Sequence, residues 1–310
     1  MGLSYSITTS RYELAELDSI ASLWNANAAG RHAFFPWSGQ LLQLIFTASH
    51  ADRCSFLCEA AVDGRVVGFA HATYMYEYGY APGGAVEALL VDKQYRNQGI
   101  GSRLLAMATD ALERVTPRLE LIDAMGAWPY GCVYTTLADG SERSGIFAEE
   151  PELKRLFSRA GFNERRPSLV MRAPTRPVEV PIPVWMQCHT GMRRCDTWLD
   201  NVFRSRELWD HNLVDWKGSI LSRAIYGFMP GESKQEGKNI YSLFGVNTPP
   251  FSRGKGHASK NIDHLLAHVG ALGGDEVEIH VYADNDPALA LYAKCGFKEL
   301  NRTMMMQREL

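Results

Sequence analysis

The chain carries one short turn twice, Arg96-Asn97-Gln98-Gly99-Ile100-Gly101 and Arg253-Gly254-Lys255-Gly256-His257-Ala258, 157 residues apart. Each turn follows an apolar run of strand character, GGAVEALLVD or NIYSLFGV. Each opens into a segment of helical spacing, SRLLAMATDALERV or SKNIDHLLAHVGAL. A further strand comes next in both halves, RLELIDAM and EVEIHVYAD, and then a short helix closing on glycine, PELKRLFSRAGF and DPALALYAKCGF. Strand, glycine turn, helix and strand recurring after about one domain length require two related α/β domains in tandem. Four prolines in RAPTRPVEVPIPVW mark the seam. The expected domains are residues 1–173 and 186–310, joined by a linker over 174–185. Ahead of the first turn, ELAELDSIASLWNANAAG and QLLQLIFTAS read as helices. FLCEAAVDGRVVGFAHATYMY reads as a hairpin turning at Asp63-Gly64.

With 46% hydrophobic and 22% charged residues the chain is globular in composition, neither disordered nor fibrous. A net charge of −3 gives no electrostatic reason to seek nucleic acid. No stretch has the length of a membrane span and no secretory signal opens the chain, so a cytoplasmic protein without a membrane partner is expected. The six cysteines form no C-x-x-C pair and the nine histidines no ligand spacing, so no metal is expected. Oligomeric state is not legible at this level.

The chemistry lies in the turns. A glycine turn entering a helix leaves backbone N–H groups unpaired at the positive end of the helix dipole, which suits a pyrophosphate. Small residues there let the backbone approach phosphate oxygens, while Arg96, Arg253 and Lys255 add charge. The turns lack the G-K-S/T ending of a P-loop and the G-x-G-x-x-G spacing of a dinucleotide fold. VEALLVDKQYRNQGIGSRLL, RGKGHA and NDPALALYAKCGF resemble the acyl-CoA motif and closing helix of the GNAT superfamily of N-acetyltransferases. The resemblance implies two tandem α/β domains, each a mixed, mostly antiparallel sheet flanked by helices and splayed between its fourth and fifth strands. It implies acetyl-CoA as acyl donor, with direct transfer to an amine. It places the cofactor on Arg96, Asn97, Gln98, Gly99, Ile100, Gly101 and Ser102 in one half, and on Arg253, Gly254, Lys255, Gly256, His257 and Ala258 in the other. A bulge offering an N–H to the thioester carbonyl is expected at Leu89-Leu90-Val91 or Phe244-Gly245-Val246.

By the same resemblance Tyr292 is the acid that protonates the departing thiolate, and Asn285 holds the pantetheine arm or a water. The first half has Phe157 in place of Tyr292, with Tyr130 or Tyr134 as possible substitutes. Strand alternation could aim Glu87 into the cleft as the base that takes the amine proton, or leave it at an exposed strand position. The acceptor would meet GRHAFFPWSG and MYEYGYAPGG. His32, Phe34, Phe35, Trp37, Tyr74, Tyr76, Glu77, Tyr78 and Tyr80 there form either an aromatic wall for a small cationic amine or ordinary loop packing. The expected activity is N-acetylation of a primary amine of a small molecule. The alternatives are a non-catalytic acyl-CoA sensor or scaffold, and a protein N-acetyltransferase.

Overall fold

The computed structural model describes residues 2–8, 14–30, 36–47, 53–75, 83–115, 118–125, 145–177, 181–193 and 207–310. These form two compact units, one from residues 2–166 and 303–310, the other from 167–302.

The first unit contains β1 (Leu3–Thr8), α1 (Leu14–Ala28), α2 (Gly39–Thr47), β2 (Arg53–Val62), β3 (Arg65–Met75) and β4 (Gly83–Val91). It continues with α3 (Ile100–Val115), β5 (Leu121–Ala124), β6 (Ile146–Phe147) and α4 (Pro151–Arg159). Its sheet runs β1-β2-β3-β4-β5 and is closed by β13 (Lys298–Glu309), on which β6 also pairs. Among its described strands only the β4–β5 pairing is parallel. The β2–β3 turn forms where expected because Asp63 (φ 49°) and Gly64 (φ 81°) both accept the left-handed backbone of a two-residue hairpin loop. On one face of the sheet, Ile100, Leu104, Leu105, Ala108 and Leu112 of α3 recur at helical spacing and are buried against Ala70, Ala72, Val86, Leu89 and Ile122. Each fully buried leucine stabilises the fold by about 1.5–3 kcal/mol relative to exposure. Leu17, Ile20 and Trp24 of α1 are buried too, and Trp24 stacks on Trp37 at 3.9 Å.

The second unit contains β7 (Asn163–Pro174), which enters it at residue 167, then β8 (Met186–Met192), β9 (Leu208–Asp215) and β10 (Ile220–Phe228). It continues with α5 (Pro230–Glu236), β11 (Ile240–Asn247), α6 (His257–Ala271), β12 (Glu276–Tyr282) and α7 (Asp286–Lys294). Its sheet order is β7-β12-β11-β10-β9-β8, with β11–β12 the parallel pair. Both units thus have the mixed, mostly antiparallel sheet expected. Each is closed by the strand that follows the last helix of the other repeat, β7 after α4 and β13 after α7. Ser168–Pro174 pair with β12 in the second unit, and Gln307–Glu309 pair with β5 in the first. Among the described residues no helix is long and apolar enough to cross a membrane.

One buried arginine organises the second unit. Arg172 donates from Nε to Glu278 at 2.9 Å, from Nη2 to Glu232 at 2.9 Å, and from Nη1 to Glu236 at 2.7 Å and Glu276 at 3.3 Å. It therefore ties α5 to β12. Glu232 and Glu278 are themselves 1% and 0% exposed. Arg172→Ala leaves those carboxylates buried without their cation, at an expected cost of about 3–5 kcal/mol. Urea denaturation measures the loss.

Candidate active site

The two sheets split at the same place. β4 pairs with β5 only from Gly83 to Val86, although it runs on to Val91. β11 pairs with β12 only from Ile240 to Leu243, although the two strands end at Asn247 and Tyr282. Beyond these points one edge of the fourth strand of each unit faces a cleft. A β-bulge sits at each divergence. The β3–β4 register passes from Ala72↔Val86 to His71↔Ala88, leaving Glu87 as the extra residue. The β10–β11 register passes from Tyr226↔Leu243 to Ile225↔Gly245, leaving Phe244. The first bulge therefore lies two residues before the expected Leu89-Leu90-Val91, which continue as buried strand. The second falls within Phe244-Gly245-Val246.

After each fourth strand comes the repeated turn, in matching conformation. Arg96 and Arg253 are extended, with φ,ψ of −69°,162° and −66°,154°. Asn97 (φ 62°) and Gly254 (φ 72°) are left-handed, and so are Gly99 (φ 80°) and Gly256 (φ 75°). Both arginines turn Nε back onto a carbonyl five residues upstream, Val91 or Thr248, at 3.0 Å. Each guanidinium thereby braces its own turn as well as charging it. Helices α3 and α6 begin directly after Gly99 and Gly256, so the N–H groups of Ile100, Gly101 and Ser102, and of His257, Ala258 and Ser259, lie in the first turn of a helix. A Cβ on Gly101 would meet Leu156 at an ordinary 3.5 Å, consistent with alanine at the equivalent Ala258.

The units differ in what faces the split. In the first, Ser55, Thr73, Ala85, Asp123 and Gln307 lie in one register row across β2, β3, β4, β5 and β13. The Thr73 hydroxyl donates to Glu87 Oε1 at 2.5 Å, which brings the bulged carboxylate to the same face. Glu87 and Asp123 are 3% and 1% exposed. Burial pushes the Asp123 carboxyl up to about 7, Gln307 opposing the shift and the charge of Glu87 adding to it. Beside them His71 Nε2 and the Ser55 hydroxyl are 2.5 Å apart. The equivalent row of the second unit reads Gly227, Ser242, Glu278 and Arg172. Phe244 stands at the bulge where the first unit has Glu87. The carboxylate equivalent to Asp123, Glu278, is neutralised by Arg172.

Because folding raises the Asp123 pKa above its usual value of about 3.8, the folded chain holds a proton there that the unfolded chain has lost. Stability from this residue is therefore full at low pH and declines as the pH rises from about 4 to about 7. Asp123→Asn removes that term, so the melting temperature of the variant relative to wild type is expected to be higher at pH 8 than at pH 5. A gap that does not change with pH contradicts the assignment.

The second unit has a groove beside its glycine turn. A cavity of about 280 Å³ is lined by Thr248, Arg253, Gly256, Ser259, Leu291 and Lys294, among others. His257 packs at its head, with Nδ1 2.5 Å from the Ser252 hydroxyl, and burial lowers its pKa with help from Lys255 and Lys260. Tyr292 is 6% exposed on α7 and packs against Phe297 at 5.6 Å. Its counterpart Phe157 is fully buried against Phe162. The Asn285 side chain caps α7 by accepting from the Ala288 N–H at 3.3 Å.

Of the expected acceptor wall, Trp37 and Tyr74 are core residues. His32, Phe34, Phe35, Tyr76, Glu77, Tyr78, Tyr80, Tyr130 and Tyr134 lie outside the described residues. Sequence reasoning passed over Thr73 and Asp123. The signal for Asp123 was a carboxylate inside the apolar strand run RLELIDAM.

Comparison with known proteins supports the architecture. The acetyltransferase (GNAT) family matches the chain twice, over residues 15–126 and 185–297. No curated protein sequence matches it. A tandem GNAT protein from the clavulanic acid biosynthesis pathway superposes with a TM-score of 0.74 at 16% identity, covering 99% of this chain and 98% of its own. A glucosamine N-acetyltransferase region of a fungal multi-domain beta-N-acetylglucosaminidase gives 0.68 at 13% identity, covering 99% of this chain and 38% of its own. A GCN5-related N-acetyltransferase from Sphaerobacter thermophilus gives 0.60 at 15% identity, over 98% and 95% of the two chains. With two splayed sheets, two bulged fourth strands, two matching glycine turns and a family match over most of its length, the chain belongs to the GNAT acetyltransferase family as a tandem member.

Proposed function

We propose that the chain transfers the acetyl group of acetyl-CoA directly to a primary amine of a small molecule, and that the acceptor chemistry takes place in the first unit. The observation that carries this reading is Glu87, a buried carboxylate on the bulge, held by Thr73 in a cleft that also contains Asp123. The Glu87 carboxylate attracts a cationic amine into the cleft, and Asp123, whose proton burial retains, offers a hydrogen bond beside it. Glu87 takes the proton that the nitrogen must lose as it attacks the thioester carbon. The C–N bond forms, the C–S bond breaks, and the electron pair leaves on the CoA sulfur. The thiolate takes its proton from water, which its modest basicity permits. The bulge N–H supports the oxyanion. Residues Arg96 to Ser102 bind the pyrophosphate, with Leu89, Leu90 and Val91 alongside the pantetheine arm. The pathway origin of one similar structure and the glucosamine acceptor in the description of another favour a small-molecule acceptor over a protein.

A second reading puts transfer in the second unit, favoured by Tyr292, which follows Leu291 on α7 where that helix lines the groove holding Arg253 and Lys294. It would use Tyr292 as acid and Asn285 to hold the pantetheine or a water. Phe244 at the bulge and Arg172 on Glu278 leave that cleft without the base the first unit has. In our reading this groove binds an acyl-CoA through Arg253 to Ala258 and Phe244 to Val246 without catalysing transfer. The test is release of CoA thiol from acetyl-CoA on addition of small primary amines, with the acetylated product identified by mass. No amine-dependent thiol release across amino sugars, polyamines and amino acids would favour the non-catalytic sensor.

A further inference from the structure

We propose that the second unit carries a binding site for a zinc-class divalent cation, held by Cys188, His211 and His264. The inference is independent of the acetyltransferase reading. These residues come from three elements far apart in the sequence, and the fold brings one ligand atom of each within 4.8 Å of the others. Cys188 and Thr190 of β8 share a sheet face with His211 of β9, whose register partner is Thr190. Helix α6 packs on β9 and carries His264 and His268 one turn apart, each stacked on the His211 ring, at 5.3 Å and 5.4 Å.

The spacing and chemistry of the donors fit a tetrahedral ion. His211 Nε2 and His264 Nδ1 are 3.3 Å apart. Two nitrogens bound to zinc at about 2.0–2.1 Å in tetrahedral geometry stand about 3.3 Å from one another, and a sulfur at about 2.3 Å stands about 3.6 Å from each nitrogen. The Cys188 Sγ lies on a half-buried side chain and needs to close by at most about 1.2 Å. Two imidazoles and a thiolate are a borderline-soft donor set that selects zinc over magnesium or calcium. The other nitrogen of His211 is committed, Nδ1 lying 2.7 Å from the Thr190 hydroxyl, the outer contact that fixes ring orientation in metal-binding histidines. Cys188 and His264 also line a cavity of about 530 Å³ with Pro181, Ile182, Gln187 and His189. Three protein donors beside an open cavity leave a fourth position for water or a small anionic ligand. Cys188 binds as the thiolate, its proton passing to solvent.

The full chain is first freed of metal by a chelator and then titrated with Co²⁺. One equivalent should bind, with a thiolate-to-cobalt charge-transfer band in the near ultraviolet, and Zn²⁺ should displace it. Cys188→Ser should lose that band, and His264→Ala should weaken Co²⁺ binding tenfold or more. X-ray absorption of the zinc-loaded wild type should show one sulfur and at least two imidazole nitrogens, a result that does not depend on either variant folding. No stoichiometric binding, a charge-transfer band that survives Cys188→Ser, Co²⁺ affinity unchanged in a folded His264→Ala, or a zinc shell without sulfur each overturns the proposal.

Discussion

Glu87→Gln lowers the turnover number for acetyl transfer by about 10²–10⁴-fold, the range a positioned general base contributes. The substitution is close to isosteric, and its amide oxygen can still accept from the Thr73 hydroxyl that holds Glu87 at 2.5 Å. The first unit should therefore keep its fold and its affinity for acetyl-CoA. What disappears is the acceptor for the ammonium proton. The variant then depends on amine that has already lost its proton in solution. Its residual rate should climb about tenfold per pH unit below the acceptor's pKa, while the wild-type rate rises less steeply. Turnover within a factor of about two of wild type, with a parallel pH profile, would remove Glu87 from the chemistry.

Deletion of residues 303–310 is expected to unfold the first unit, although they are the last residues of the sequence. They supply the antiparallel neighbour of β5, which otherwise pairs with β4 over four residues only. They also supply Met306, fully buried in the core around α3, and Thr303, 2% exposed. Losing a buried methionine alone costs about 2–5 kcal/mol. With the strand pairing gone as well, the total approaches the whole stability of a domain, about 5–15 kcal/mol. Hydrogen exchange reads the outcome directly: amides of β3, β4 and α3 should lose protection in the truncated chain. Retained protection there would mean that β13 is dispensable to the first unit.

The duplicated architecture was legible because it rests on local signals. The turns sit where Gly99 and Gly256 permit a left-handed backbone, and α3 and α6 start one residue later, where the apolar spacing begins. The exchange of closing strands was not legible. The alternation of a strand reports which face is buried and not which strand it pairs with, so nothing in NERRPSLVMRAP or KELNRTMMMQRE names its neighbour. The candidate base was legible in the alternation around Glu87, but its counterpart in the second half was not. The two bulges show the counterpart to be Phe244, because each inserts one residue at the equivalent point. The weight of Asp123 emerges only from register, which sets it opposite Ala85, one row from Glu87, and opposite Gln307 where the second unit has an arginine. The dispersed cysteines and histidines carried no ligand spacing. Cys188, His211 and His264 meet through tertiary packing alone, which no linear pattern encodes.

The most direct test of the central claim compares amine-dependent CoA release by Gly99→Glu and Gly256→Glu, each first shown to be folded. A glutamate at either position puts a side chain and a negative charge at the helix start where the pyrophosphate would lie, in a backbone conformation that favours glycine. Our account predicts that Gly99→Glu abolishes turnover while Gly256→Glu leaves it within about twofold of wild type and removes only acyl-CoA binding to the second unit. Turnover that survives Gly99→Glu and is lost in Gly256→Glu would contradict it and move the chemistry to the second unit.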